Sequence, residues 1–138
     1  LKSARCATPI FAVASSRLGN CCMPRDSRAS LLDILAACDL LADFTRGKTF
    51  EDYAADALLR SGVERQLEII GEALRVVVQH RPVFATQITD VPAIIAFRNQ
   101  LTHAYSAIDH RTVWGVLERR VPLLRSEIEP LLRGLHIE

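Results

Sequence analysis

The chain predicts an all-α, up-and-down bundle of four to five helices, and three observations carry that expectation. From Ser27 to Leu132 apolar residues return every three or four positions, the spacing that lines one face of a helix. Leu, Ala, Ile and Val dominate the apolar content while aromatics make up only 6%, which suits a helical core better than a β-sandwich. No stretch alternates apolar and polar residues as a half-buried strand does. At 138 residues, 49% hydrophobic and 24% charged, the chain is long enough for one well-buried core and too apolar to stay disordered. No apolar run approaches the roughly 18 residues that span a bilayer, so neither a transmembrane helix nor a membrane partner is expected.

The elements follow in order. Ser27 or Ser30 can cap a first helix whose inward positions are Leu31, Ile34, Leu35, Cys38, Leu41 and Ala42, with Gly47 as its stop. TFEDYAAD opens on Thr49, a cap residue, and predicts a short helical turn. A long helix is expected from about Asp56 to His80. Its inward stripe is Leu59, Val63, Leu67, Ile70, Leu74 and Val77, and its outward stripe includes Arg60, Glu64, Glu68, Glu72 and Arg75. Gly71 interrupts that helix at a cost of about 1 kcal/mol relative to Ala, which points to a close backbone approach.

Pro82 ends the long helix, and HRPVFATQITD reads as a connector with room for one helical turn. Asp90 is a candidate cap for the next helix, and Pro92 suits its first turn. After SAID, a last helix is expected from about His110 to Leu132. Val113, Val116, Leu117, Val121, Leu124, Ile128 and Leu131 face inward there, and Pro122 marks a kink or bend.

Composition divides the chain near residue 22. Residues 1–22 carry Lys2, Arg5 and Arg17 and no acidic side chain, for +3; the rest carries 14 basic and 16 acidic groups, for −2. That balance excludes a general phosphate-coating protein, so any nucleic-acid contact should be small and local. Cys6, Cys21 and Cys22 also fall before residue 23, leaving Cys38 alone in the body. One cysteine builds neither a disulfide framework nor a zinc site, and a reducing cytoplasm is the expected compartment. The segment 1–22 has no periodicity and reads as a targeting peptide, a disordered basic arm, or an extension ahead of a true start at Met23. The capped helix that follows Met23 at once favours the third, and residues 23–138 are expected to form the domain.

The chemistry concentrates in RNQLTHAY, residues 98–105, directly behind the apolar run VPAIIAF. At about 100° per residue, Ile94, Phe97, Leu101 and Ala104 define the core side of this helix, and Asn99 and His103 project opposite. Arg98 and Tyr105 fall together on the flank. His103 is then either exposed or turned toward a partner, and Arg98 stands some 140° from it. Either the long arginine stem swings its head round, or a second copy of the chain completes the cluster. A plain solvated face is the competing reading. Against it, the inventory holds a proton-transfer group in His103, a fork-shaped cation suited to phosphate in Arg98, an amide in Asn99 and a hydroxyl in Tyr105. No Asp or Glu lies between Pro92 and Ala107, so a metal-held site gains no support, and no cofactor is implied.

Arg-Asn-x-x-x-His-x-Tyr, with ERQLEIIGEA upstream (Glu64 to Ala73) and the pair Val113–Trp114 downstream, resembles the HEPN superfamily of ribonucleases, and within it the HepT-like toxins. The similarity runs from Met23 to about Leu132. The resemblance implies a HEPN-like helical bundle in which Arg98 and His103 are the catalytic pair and Asn99 supports them. It also implies an active cleft between two protomers of a homodimer. Tyr105 matches the tyrosine that a partner nucleotidyltransferase antitoxin, MntA-like, adenylylates to silence the toxin.

The expected activity is metal-independent endoribonucleolytic cleavage within a type II/VII-like toxin–antitoxin module. His103 serves as general base or acid and Arg98 stabilises the phosphorane-like charge. Two alternatives belong to other classes: a non-catalytic helical subunit that binds a nucleotidyltransferase or its substrate, and a purely structural dimerisation bundle.

Overall fold

A computed structural model describes residues 26–135 and is all-helical, with no strand among the described residues. The expectations for residues 1–22, and for Met23 as a start, lie outside the described residues. The elements are α1 (Ser27–Thr45), α2 (Phe50–Ala55), α3 (Ala57–His80), α4 (Val91–His103), α5 (His110–Gly115) and α6 (Val121–Gly134). Short 3-10 turns, Pro82–Thr86 and Tyr105–Ala107, flank α4, and a π turn, Val116–Arg120, joins α5 to α6.

Helix starts follow their caps, with two departures. The Asp26 side chain, not that of Ser27 or Ser30, caps α1 by accepting from the amide of Arg28 at 3.3 Å, and Ser27 and Ser30 are buried inside the helix. Thr49 caps α2 in a reciprocal box with Asp52, and Asp56 caps α3 through the amide of Leu59 at 3.0 Å. Asp90 occupies the cap position of α4 but its side chain makes no cap bond. It sits in the left-handed region at φ 56°, and its carboxylate reaches across to Arg120 at 2.6 Å. That ion pair pins the start of α4 to the π turn, and a short polar residue tolerates the backbone it requires. Gly47 ends α1 at φ +70°, where a side chain would be strained.

At Pro122 the expected irregularity takes the form of a π turn in the residues just before it. The proline lacks an N–H and would crowd the carbonyl four residues earlier, and the preceding turn loosens to i→i−5 bonding, with the Val121 amide reaching the Val116 carbonyl. α5, the π turn and α6 therefore run as one interrupted rod ending at Gly134.

The core lies where α1, α3 and this rod meet. Leu31, Ile34, Cys38 and Leu41 from α1 pack with Val63, Leu67, Ile70, Leu74 and Val77 from α3 and with Val113, Leu117, Leu124 and Ile128 from the rod. Full burial of each Leu, Ile or Val side chain stabilises the fold by about 1.5–3 kcal/mol before chain entropy is counted. Ala42 is exposed, and Leu35, Leu59, Val116 and Leu131 are only partly buried, so the inward stripes are narrower than their periodicity implied. Phe44, near the end of α1, lies 3.5 Å from the Cβ position of Gly62 near the start of α3, as in an antiparallel pair. α4 rests on the other flank of α3, and that contact builds the site.

Candidate active site

α4 crosses α3 at Gly71. A β-carbon on Gly71 would stand 2.3 Å from Cβ and 2.7 Å from Cγ of Arg98, so the arginine stem fills the place a side chain would occupy. The glycine that weakens α3 locally is therefore the seat of Arg98, as the expected close approach required. Around that seat the guanidinium is held by two groups. Nη2 lies 3.1 Å from the Glu72 carboxylate, and Nη1 donates to Oδ1 of Asn99 at 3.0 Å. Arg98 is 27% exposed, enough for part of its fork to face solvent.

Glu72 serves two arginines. Its carboxylate also accepts from Nη2 of Arg75 at 2.7 Å and from Nε at 3.2 Å, and Arg75 in turn donates to Gln79 at 3.1 Å. The hydrogen bonds from Arg75, and then the charges of Arg75 and Arg98, hold the Glu72 carboxyl below its usual range despite some burial. The same contacts raise Arg75. The site thus carries two permanent cations around one fixed anion.

His103 closes α4 and is exposed, as its position opposite the core implied. It stands five residues from Arg98, about 140° round the helix, and the two are not hydrogen-bonded within the chain. Arg98 and Asn99 are brought together; His103 is not joined to them by its own protomer. The helical arithmetic that set Arg98 and Tyr105 on one flank stops short of Tyr105. Ala104 leaves helical geometry at φ −130°, ψ 36°, and Tyr105 begins a separate 3-10 turn, so helical arithmetic no longer applies to it. Ala104, expected on the core side, is exposed because the helix ends there. Leu101 is buried and Ile94 and Phe97 are partly so, which keeps the rest of the core face as expected.

Glu72, placed on the outward stripe of α3, is 42% exposed and also links α3 to α4. The signal was present: Glu72 and Arg75 have the i, i+3 spacing of a helical ion pair, beside the one glycine in the middle of the helix. No helix among the described residues is long and apolar enough to cross a membrane.

By its match to a known family, this all-helical bundle is a HEPN-superfamily ribonuclease. The family model for HepT-like ribonucleases matches residues 34–131. The chain belongs to the HepT-like ribonuclease family. It is 33% identical over 107 residues to a candidate RNase of Methanocaldococcus jannaschii, covering 76% of this chain and 95% of that one. A candidate HepT ribonuclease of Thermococcus cleftensis is 33% identical over 111 residues, covering 79% of this chain and 98% of the relative. A candidate RNase of Caldanaerobacter subterraneus is 31% identical over 108 residues, covering 77% and 94%. No solved structure matches the chain.

Proposed function

We propose that this protein is a metal-independent endoribonuclease toxin, with Arg98 and His103 as its catalytic residues and Asn99 as the support of Arg98. The observation that carries the reading is the seating of Arg98: a glycine is spent to receive its stem, and Glu72 and Asn99 fix its fork on the helix that ends in an exposed His103. A guanidinium held this way is a preorganised site for phosphate charge, since its orientation is set before substrate arrives.

Cleavage proceeds by transesterification. The ribose 2′-oxygen attacks phosphorus as a base takes its proton, and the bond to the 5′-oxygen breaks as an acid protonates that oxygen. The products are a 2′,3′-cyclic phosphate and a free 5′-hydroxyl. Arg98 neutralises the charge that grows on the non-bridging oxygens, and His103 moves the proton. The 2′-hydroxyl requirement selects RNA over DNA. The angular separation of Arg98 and His103 within one helix is met by a homodimer. There the His103 of one copy faces the Arg98 of the other, and two histidines supply one base and one acid.

Control rests on Tyr105. Its place in the turn directly after the catalytic helix suits a modification point at the cleft edge. Adenylylation there by a cognate nucleotidyltransferase antitoxin adds phosphate and bulk where a polyanion must enter.

The deciding experiment incubates the purified protein with a fluorescently labelled RNA in EDTA, beside His103→Ala and Arg98→Lys. Cleavage by the wild type alone, with cyclic-phosphate ends, is expected. A requirement for added Mg²⁺, or full cleavage by His103→Ala, overturns the mechanism.

A further inference from the structure

Beyond the α4 site, the rod carries a stripe the proposed chemistry does not use. Arg111, Gly115 and Arg119 are spaced i, i+4 and i+8, one above the other along successive turns. They line a groove of about 410 Å³ together with Asp109, Thr112 and Arg120. Gly115 forms part of its wall, and its lack of a side chain has no internal cause. A Cβ built there meets nothing within 4 Å, and its backbone has ordinary helical angles, φ −61° and ψ −36°. Neither packing nor backbone strain calls for glycine here, although glycine is disfavoured inside helices. What the missing side chain does provide is close access to the rod between two arginines.

The charges in the groove are arranged for a polyanion. The guanidinium carbon of Arg111 lies 4.4 Å from the centre of the Phe50 ring, a cation–π contact that helps to fix its place. Arg119 is exposed and has no ion-pair or hydrogen-bond partner among the described residues. Arg120 is partly neutralised by Asp90 at 2.6 Å. The one carboxylate lining the groove, Asp109, is engaged as the cap of α5. It accepts from the amides of Arg111 at 3.2 Å and Thr112 at 3.3 Å, and from the Thr112 hydroxyl at 3.1 Å.

The groove also leads to the catalytic helix. Asp109 and Thr112 are shared with an adjoining hollow whose other walls include Phe97, Gln100 and Ala104, from the last turns of α4 and its cap.

We propose that this groove is a second binding site for the substrate, holding the single-stranded RNA backbone beside the scissile phosphate. Arg111 and Arg119 contact successive phosphates, and Gly115 admits the strand between them. The site rests on the ribonuclease reading above and extends it: it fixes where the flanking strand lies. A groove lined by Arg111, Arg119 and Arg120 suits a single strand, whose phosphates are accessible along one flexible backbone.

The test uses the full chain carrying His103→Ala, so that RNA survives the measurement, and a labelled ten-nucleotide RNA followed by fluorescence anisotropy. Gly115→Leu is added to fill the groove, Arg119→Ala to remove a cation, and Arg133→Ala as a charge-matched control near the far end of α6. Gly115→Leu should weaken RNA binding at least tenfold while its melting temperature stays level or rises, because leucine favours helix and meets open space. Arg119→Ala should lower the slope of log K against log salt by about 0.7, one phosphate contact on a single strand. Arg133→Ala should leave that slope unchanged. Binding within twofold of the parent for both groove variants, with the wild-type chain cleaving RNA, overturns the groove and leaves the ribonuclease reading intact. A wild-type chain that cleaves no RNA overturns both.

Discussion

Arg98 occupies the space that a side chain on residue 71 would need: the Cβ position of Gly71 lies 2.3 Å from Cβ of Arg98. A packing concession in α3 and a charged residue in α4 are therefore one structural unit, closed by Glu72 at 3.1 Å.

Gly71→Ala should damage both stability and activity. The overlap is with Cβ and Cγ, the stiff root of the arginine, so the whole side chain or α4 itself must shift. Overpacking costs about 1–3 kcal/mol and alanine returns about 1 kcal/mol of helix preference, for a net loss of up to about 2 kcal/mol. Urea unfolding reads the first effect. Initial rates on RNA should read the second as a drop of at least tenfold, and unchanged rates would show that the seat is dispensable.

Glu72→Gln keeps the shape of the link and removes its charge, so cleavage should slow while the helical signal is preserved. The pH dependence has a definite sign. The Glu72 carboxyl is depressed in the folded protein, chiefly by hydrogen bonds from Arg75. Its contribution is therefore complete above the unfolded value of about 4.5 and is lost as pH falls through the lower folded value. Melting temperatures taken from pH 6 down to 3 should decline less steeply in Glu72→Gln than in the parent. Parallel curves would place Glu72 outside the stabilising contacts.

His103→Ala should leave stability within about 0.5 kcal/mol, because the side chain is exposed. RNA cleavage should fall by about 10²- to 10⁴-fold, the usual cost of losing an acid–base group. Circular dichroism and a cleavage assay on the same preparation separate the two.

Tyr105→Phe should still cleave RNA but escape silencing when a cognate nucleotidyltransferase is co-expressed. Growth of the expressing cells reads the outcome, and intact mass of the wild-type pair should show added AMP units on the Tyr105 peptide. A fully neutralised complex with unmodified Tyr105 would assign silencing to occlusion.

Cys38 should resist thiol reagents in the native state. Burial, and then the neighbouring Asp39 charge, push its thiol up to about 12 against the opposing pull of Arg125. Iodoacetamide at pH 8 should leave the Cys38 peptide unmodified until denaturant is added, since the thiolate is the nucleophile. Labelling in native buffer would reveal local opening of α1.

Helix number, type and approximate ends were legible because they depend on signals within a few residues of each other. The three–four periodicity of α1 and α3, the Thr49 cap and the Gly47 stop are all local. The exposure of His103 was legible for the same reason: its direction follows from its position on one helix. Beyond Ala104 that reasoning stopped, because a change in backbone angles ends the helix there and helical arithmetic no longer applies to Tyr105. What tertiary structure alone decided is whom each side chain meets. Glu72 faces solvent in part as read, but its pairing with Arg98 needed α4 laid across α3, and the pairing of Asp90 with Arg120 needed the π turn. Gly71 announced a close approach without naming the residue that makes it. Periodicity fixes the face a residue occupies on its own helix. The partner on that face is set by how helices distant in sequence cross, which no local pattern encodes.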